Sequence, residues 1–208
     1  MLRQLLKKVV FDNKCSMCGV NRVDKGYICK KCDLKLKEMS FLKKRDGLYY
    51  LFLYSDFKSV IWDFKFKNRK LLSENIKLYI KKPIEDLIKE KNIDIVIPVP
   101  VSDQRRIERG YNQVEEILQA CEIKFENIER IKNTEHMYHL NDIEKRCENV
   151  RGAFTIKEDY SGKRILIVDD IVTSGATMME LKNELESTQN ITEVILFTLT
   201  VVRKYFKK

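Results

Sequence analysis

Three compact runs dominated by β-branched and other apolar residues divide the second half of the chain: 93–101 (IDIVIPVPV), 163–171 (KRILIVDDI) and 191–202 (ITEVILFTLTVV). Such runs, with little polar alternation, suit strands buried on both faces of a parallel sheet. An aromatic stretch at 47–55 (GLYYLFLYS) reads as a further strand. Apolar residues at helical spacing predict helices across 57–82, with a break near Lys67 to Arg69, and at 110–121 and 174–187. Pro83 marks where the next helix begins or bends. Residues 1–11 read as a short basic amphipathic helix, and 34–46 as a short helix or connector. Apolar strands alternating with helices imply an α/β fold: a doubly wound, mostly parallel sheet with helices on both faces. Ligands of such sheets sit at the carboxyl ends of strands, so the site is expected just after Val99 and just after Val168.

Composition adds limits rather than a fold. At 208 residues, 44% hydrophobic and 34% charged, the chain suits one sizeable domain and a small appendage. No apolar stretch approaches the roughly 20 residues that cross a bilayer, and no secretory pattern opens the sequence, so a cytoplasmic location is expected. Net charge is +9, and residues 1–50 carry 13 Lys and Arg against 5 Asp and Glu. That basic end suits a polyanion such as nucleic acid, or simply keeps the surface solvated.

Residues 165–177 hold the most informative chemistry: Ile-Leu-Ile-Val-Asp-Asp-Ile-Val-Thr-Ser-Gly-Ala-Thr. A strand emerges into two acids, and a loop of small residues then opens a helix. Unpaired amides there point one way beside the positive end of the helix dipole, which makes an anion cradle. Thr173, Ser174 and Thr177 add hydroxyls, and Gly175 lets backbone approach a phosphate. Asp169 and Asp170 would repel a phosphate, so sugar hydroxyls or a Mg²⁺-bound water suit them better. The plainer alternative is that these acids and hydroxyls only cap the helix. No Gly-x-x-x-x-Gly-Lys sequence exists, which excludes a nucleotide triphosphate P-loop. After Val99, Arg105, Arg106 and Arg109 offer forked donors to a pyrophosphate, or form a solvated basic turn.

Near the start, Cys15-x-x-Cys18 and Cys29-x-x-Cys32 have the spacing of a closed tetrahedral, structural Zn²⁺ site. A redox pair or an iron-sulfur cluster is the alternative. Lys14, Arg22, Lys25, Lys30 and Lys31 surround Tyr27 there, a pattern suited to single-stranded nucleic acid or merely to solvent. Cys121 and Cys147 read as ordinary thiols, and His136 and His139 as surface residues.

The loop at 165–177 closely resembles the phosphoribosyl pyrophosphate (PRPP) loop of type I phosphoribosyltransferases. The 98–113 pattern PVPxxxxRxxxRGxNQ resembles that of the ComF family, competence-associated relatives of those enzymes. Ile61 to Phe66, with Lys65, resembles the family's apolar-Lys-aromatic segment. Arg146, Asn149, Gly152, Ala153 and Phe154 fit a further element, as do Arg130, Lys132 and Thr134; Met137 stands where Gln is more usual. The resemblance implies an N-terminal zinc module over 1–45 and a phosphoribosyltransferase-like domain over 46–208, with residues 130–150 as a closing loop. It assigns Asp169 and Asp170 to ribose, and Thr173, Ser174, Gly175, Ala176 and Thr177 to the 5-phosphate. Lys65, Arg105, Arg106 and Arg109 would contact pyrophosphate or DNA, and Mg²⁺ would accompany PRPP. Implied partners are single-stranded DNA and a competence helicase of the ComFA kind, at the cytoplasmic face of the inner membrane. Two other functions stay open: a true phosphoribosyltransferase acting on a nucleobase or another amine, and a PRPP-sensing regulator that binds nucleic acid.

Overall fold

The computed structural model describes residues 14–23, 25–67, 69–132 and 148–207. The helix expected at 1–11, and Thr134, His136, Met137, His139, Arg146 and Cys147, lie outside them. In chain order the described strands are β1 (Lys43–Arg45), β2 (Leu48–Leu53), β3 (Ile95–Pro98), β4 (Glu129–Arg130), β5 (Phe154–Thr155), β6 (Arg164–Val172) and β7 (Glu193–Val201). The helices are α1 (Lys30–Met39), α2 (Tyr54–Phe66), α3 (Leu72–Glu90), α4 (Asp103–Arg109), α5 (Gln113–Ala120) and α6 (Ala176–Thr188), followed by a 3-10 turn, Arg203–Lys207.

Five strands form one sheet in the order β1-β2-β7-β6-β3, and β4 pairs with β5 separately. Only β1 runs antiparallel within the five; β2, β7, β6 and β3 are mutually parallel. The three apolar runs are thus the adjacent strands β3, β6 and β7, with Ile97 opposite Ile167 and Val168 opposite Phe197. Alternate residues feed two cores. Leu166, Val168 and Phe197 face α2, α3 and α5, whereas Ile165, Ile167 and Leu196 face Met178, Leu181 and Leu185 of α6. Both faces are covered, which is why these strands show no polar alternation.

Four local expectations need correction. Pro83 lies inside α3, which runs unbroken because Tyr79 and Ile80 before it and Ile84 and Leu87 after it pack into one core. The helix expected at 110–121 is α5 and begins only at Gln113, where Asn112 caps it by accepting from the Val114 amide at 2.9 Å; a separate helix not expected from the sequence, α4, precedes it and ends at Gly110, whose φ is +76°. Of the two readings of 34–46, the helix holds, but it starts earlier, at Lys30 within the second cysteine pair, ends at Met39 and is followed by β1. Strand β6 does not end at the acids but continues to Val172, because β7 offers Thr198 and Thr200 as partners for Asp169 and Ile171.

The cysteine segment shares the larger core. Cys15, Val23, Ile28, Cys29, Cys32 and Leu36 are buried in the same cluster as Leu72, Ile76 and Tyr79. Polar contacts join it too: Tyr79 hydroxyl donates to Asp33 at 2.7 Å, Arg69 to Ser16 at 2.8 Å, and the Tyr27 amide to Asn75 at 3.2 Å. No helix among the described residues is long and apolar enough to cross a membrane.

Candidate functional site

At the carboxyl end of β6 the chain places two carboxylates side by side and gives them different surroundings. Asp170 is buried, and Lys65, near the end of α2, reaches it with Nζ 2.9 Å from Oδ1 and 2.8 Å from Oδ2. Asp169 stays partly exposed, and its Oδ1 accepts from the Asp170 amide at 2.8 Å. Burial, and next the Asp170 charge, push the Asp169 carboxyl up to about 7 against the pull of Lys65. Thr200 hydroxyl holds the strand end by donating to the Asp170 carbonyl at 2.9 Å.

Between about pH 4 and 7 folded protein therefore binds more protons at Asp169 than unfolded chain does, and stability must fall as pH rises through that window. Asp169→Asn removes the slope. It is expected to stabilise the fold by on the order of 1–3 kcal/mol at about pH 8, and far less at about pH 4. Urea unfolding at the two pH values measures this; equal effects at both would count against the assignment.

After Val172 the chain turns through Thr173 and the buried Ser174 into α6. Gly175, the residue before the helix, has φ +80° and no side chain of its own to cap it. The Ser174 hydroxyl accepts from the Ala176 amide at 3.4 Å. The amides of Thr177 and Met178 have no intrahelical partner, by helix geometry. The lack of a Cβ at 175 has a packing use: a Cβ there would lie 2.7 Å from Cε2 of Tyr205, in the 3-10 turn. The C-terminal turn thus packs directly on the loop.

The arginines divide. Arg106 is paired with Glu115 by two bonds, of 2.5 and 3.2 Å. Arg109 donates to Gln113 at 3.1 Å and lies 5.6 Å over the Phe66 ring, beside Lys65 at the border of one recess. Arg105 stands near enough to Arg130 to depress its guanidinium. Gln113 is buried, and its Nε2 has no hydrogen-bond partner among the described residues.

Arg130, at the start of the expected closing loop, stands close enough to Asp169 to feel its charge. Its buried guanidinium donates to the carbonyls of Pro100 at 3.1 Å and Lys132 at 3.3 Å, and lies over Phe154. Burial first, then the Arg105 charge, lower it to about 10, and Asp169 works the other way. It therefore links the end of β3 to the acids of β6. Its only signal in sequence is the basic pattern Arg130-x-Lys132.

The four cysteines converge: Sγ atoms of Cys15, Cys18, Cys29 and Cys32 lie within 4.8 Å of one another, a cluster that could hold a metal ion. Donors face the sulfurs, with Asn21 Nδ2 to Cys29 at 3.3 Å and the Cys29 amide to Cys15 at 3.3 Å, as thiolate ligands require. Cys121 is separate and buried, and burial raises its thiol to about 12.

The phosphoribosyl transferase domain family matches residues 70–205. Competence protein ComFC of Streptococcus pneumoniae is 30% identical over 76% of this chain and 68% of its own length. The chain belongs to the ComF family of phosphoribosyl transferase domain proteins. Competence protein F of Haemophilus influenzae is 26% identical over 59% of the chain, and DNA utilization protein YhgH of Salmonella typhi 31% over 42%. The match spans 58% of the former and 41% of the latter. The ComF assignment accounts for a parallel sheet whose loop and acids stand at strand ends.

Proposed function

We propose that this ComF-family chain binds PRPP at the carboxyl ends of β3 and β6 and handles single-stranded DNA during DNA uptake. Asp169 and Asp170 take the ribose hydroxyls, and Thr173, Ser174, Gly175, Ala176 and Thr177 take the 5-phosphate on their amides and hydroxyls. Lys65, Arg105 and Arg109 lie toward the pyrophosphate, with Arg106 anchored by Glu115 as their support. Mg²⁺ would neutralise part of the pyrophosphate charge. The observation carrying this reading is the Lys65–Asp170 pair set just before the Gly175 turn: a charge-fixed carboxylate beside a helix start whose N-cap is a glycine suits one ligand with both sugar hydroxyls and a phosphate. The DNA role is supported by the names of the relatives, competence and DNA utilization proteins. A competence helicase is the natural protein partner, at the cytoplasmic face of the membrane. The cysteine cluster fits Zn²⁺, since closed sulfur-only tetrahedra are its structural habit.

Calorimetric titration with PRPP and Mg²⁺ tests the site. Asp170→Asn is expected to weaken binding at least about tenfold, since a charge-assisted acceptor for ribose is lost. No heat with parent protein, or unchanged affinity in the variant, would overturn the reading. A second reading, transfer of the phosphoribosyl group to a nucleobase or other amine, is favoured by Asp169, whose carboxyl near neutrality suits proton transfer. Pyrophosphate released from PRPP in the presence of an acceptor distinguishes it from binding alone.

A further inference from the structure

One face of α2 serves neither the core nor the sugar-phosphate site. Lys58, Trp62 and Phe66 recur every four residues and so form one row along the helix. Trp62 and Phe66 are 56% and 51% exposed, with ring centroids 4.5 Å apart at 44°. Between Trp62 and the cysteine segment runs a groove of about 470 Å³ bordered by Lys14, Lys58, Lys67 and Arg69. Its one acid among the described residues, Asp63, is already matched by Lys67 at 2.9 Å and Arg69 at 2.7 Å. The groove is therefore net positive. Beyond Phe66 a second recess, of about 400 Å³, is bordered by Lys65 and Arg109, and Lys65 is the partner of Asp170. The aromatic pair thus stands between a basic groove and the proposed PRPP site.

We propose that Trp62 and Phe66 are a stacking surface for unpaired nucleic-acid bases, with Lys14, Lys58, Lys67 and Arg109 holding the phosphates on either side. Exposed rings flanked by cations match a single strand, whose bases offer free faces and whose backbone needs positive charge. A duplex hides those faces, and an apolar protein segment has no need of four cations. The chain's own residues 1–13 carry Arg3, Lys7 and Lys8 against Asp12, and like charge makes them poor occupants of a basic groove. The inference rests on the reading of the chain as a handler of single-stranded DNA, and gives that partner a location.

Trp62 is the chain's only tryptophan, so its emission reports on this surface alone. Full-length, metal-loaded protein titrated at low salt with an oligothymidylate of about 16 nucleotides should show quenching that tracks binding by anisotropy. Trp62→Ala with Phe66→Ala should weaken binding by at least about fivefold, while Trp62→Phe keeps most of it and leaves PRPP affinity unchanged. Tight binding without quenching, or with no loss in the double variant, overturns the surface but leaves the DNA role standing. Equal binding and quenching by a duplex also overturns it. No binding at any salt concentration sinks both the surface and the DNA role, yet leaves PRPP binding untouched.

Discussion

Lys65→Met is expected to lower the unfolding free energy by about 3 kcal/mol, more than any single change on the exposed face of α2. The side chains of Asp170 and Lys65 are only 7% and 15% exposed, and they meet at 2.8 Å. Removing the ammonium leaves a carboxylate with little water to replace it, next to a second carboxyl at Asp169 that also repels it. Asp170→Asn should cost less, because Lys65 is long enough to carry its charge outward and an amide still accepts a bond. Coupling both changes should recover most of the loss from Lys65→Met, since the uncompensated charge is then gone. Urea denaturation of the three variants measures all of this. If Lys65→Met proves milder than Asp170→Asn, the pair is not an ion pair worth its burial.

Stripping metal from the cysteine cluster is expected to unfold far more than the knuckle. In a small module that only touched its neighbour, chelation would leave the main sheet intact. Here Cys15, Cys29 and Cys32 are buried with Leu36, Ile76 and Tyr79 in a single cluster, and Asp33 receives the Tyr79 hydroxyl. Four thiolates at mutual distances within 4.8 Å repel one another once the cation leaves, so that wall of the core must open or protonate. The expected result is a fall in Tm of at least about 10 °C, with one cooperative transition reported by helix circular dichroism. Cys29→Ser should reproduce it. Chelation that releases the metal yet leaves the melt unchanged would show that the knuckle contributes nothing to the core beneath it.

Much of the architecture was written in local pattern. β3, β6 and β7 stand where the apolar runs put them, because a strand buried on both faces tolerates few polar residues and so announces itself. The cysteine spacing announced a metal cluster for a similar reason: only nearby pairs can close a tetrahedron from a short loop. The Thr173–Thr177 stretch read as a loop into a helix, since small residues and a glycine at positive φ have few other uses together. Misreadings were also local. Pro83 looked like a place for a helix to begin or bend because intrinsic preference was weighed without the core that holds α3 on both sides of it.

What sequence could not reveal were partners far apart along the chain. Lys65 and Asp170 are separated by 105 positions, and nothing near Lys65 says that its charge will end on a carboxylate rather than a phosphate. Arg106 looked equivalent to Arg105 and Arg109 until the turn at Gly110 brought Glu115 against it. Arg130 gained its place only when β4 paired with β5 and delivered its guanidinium to the Pro100 carbonyl. By itself the sequence determined the kinds of element, the cysteine cluster and the loop, because periodicity and spacing act over a few residues. Tertiary structure alone decided which charge meets which, because a long side chain's partner is chosen by the packing of elements that are remote in the chain.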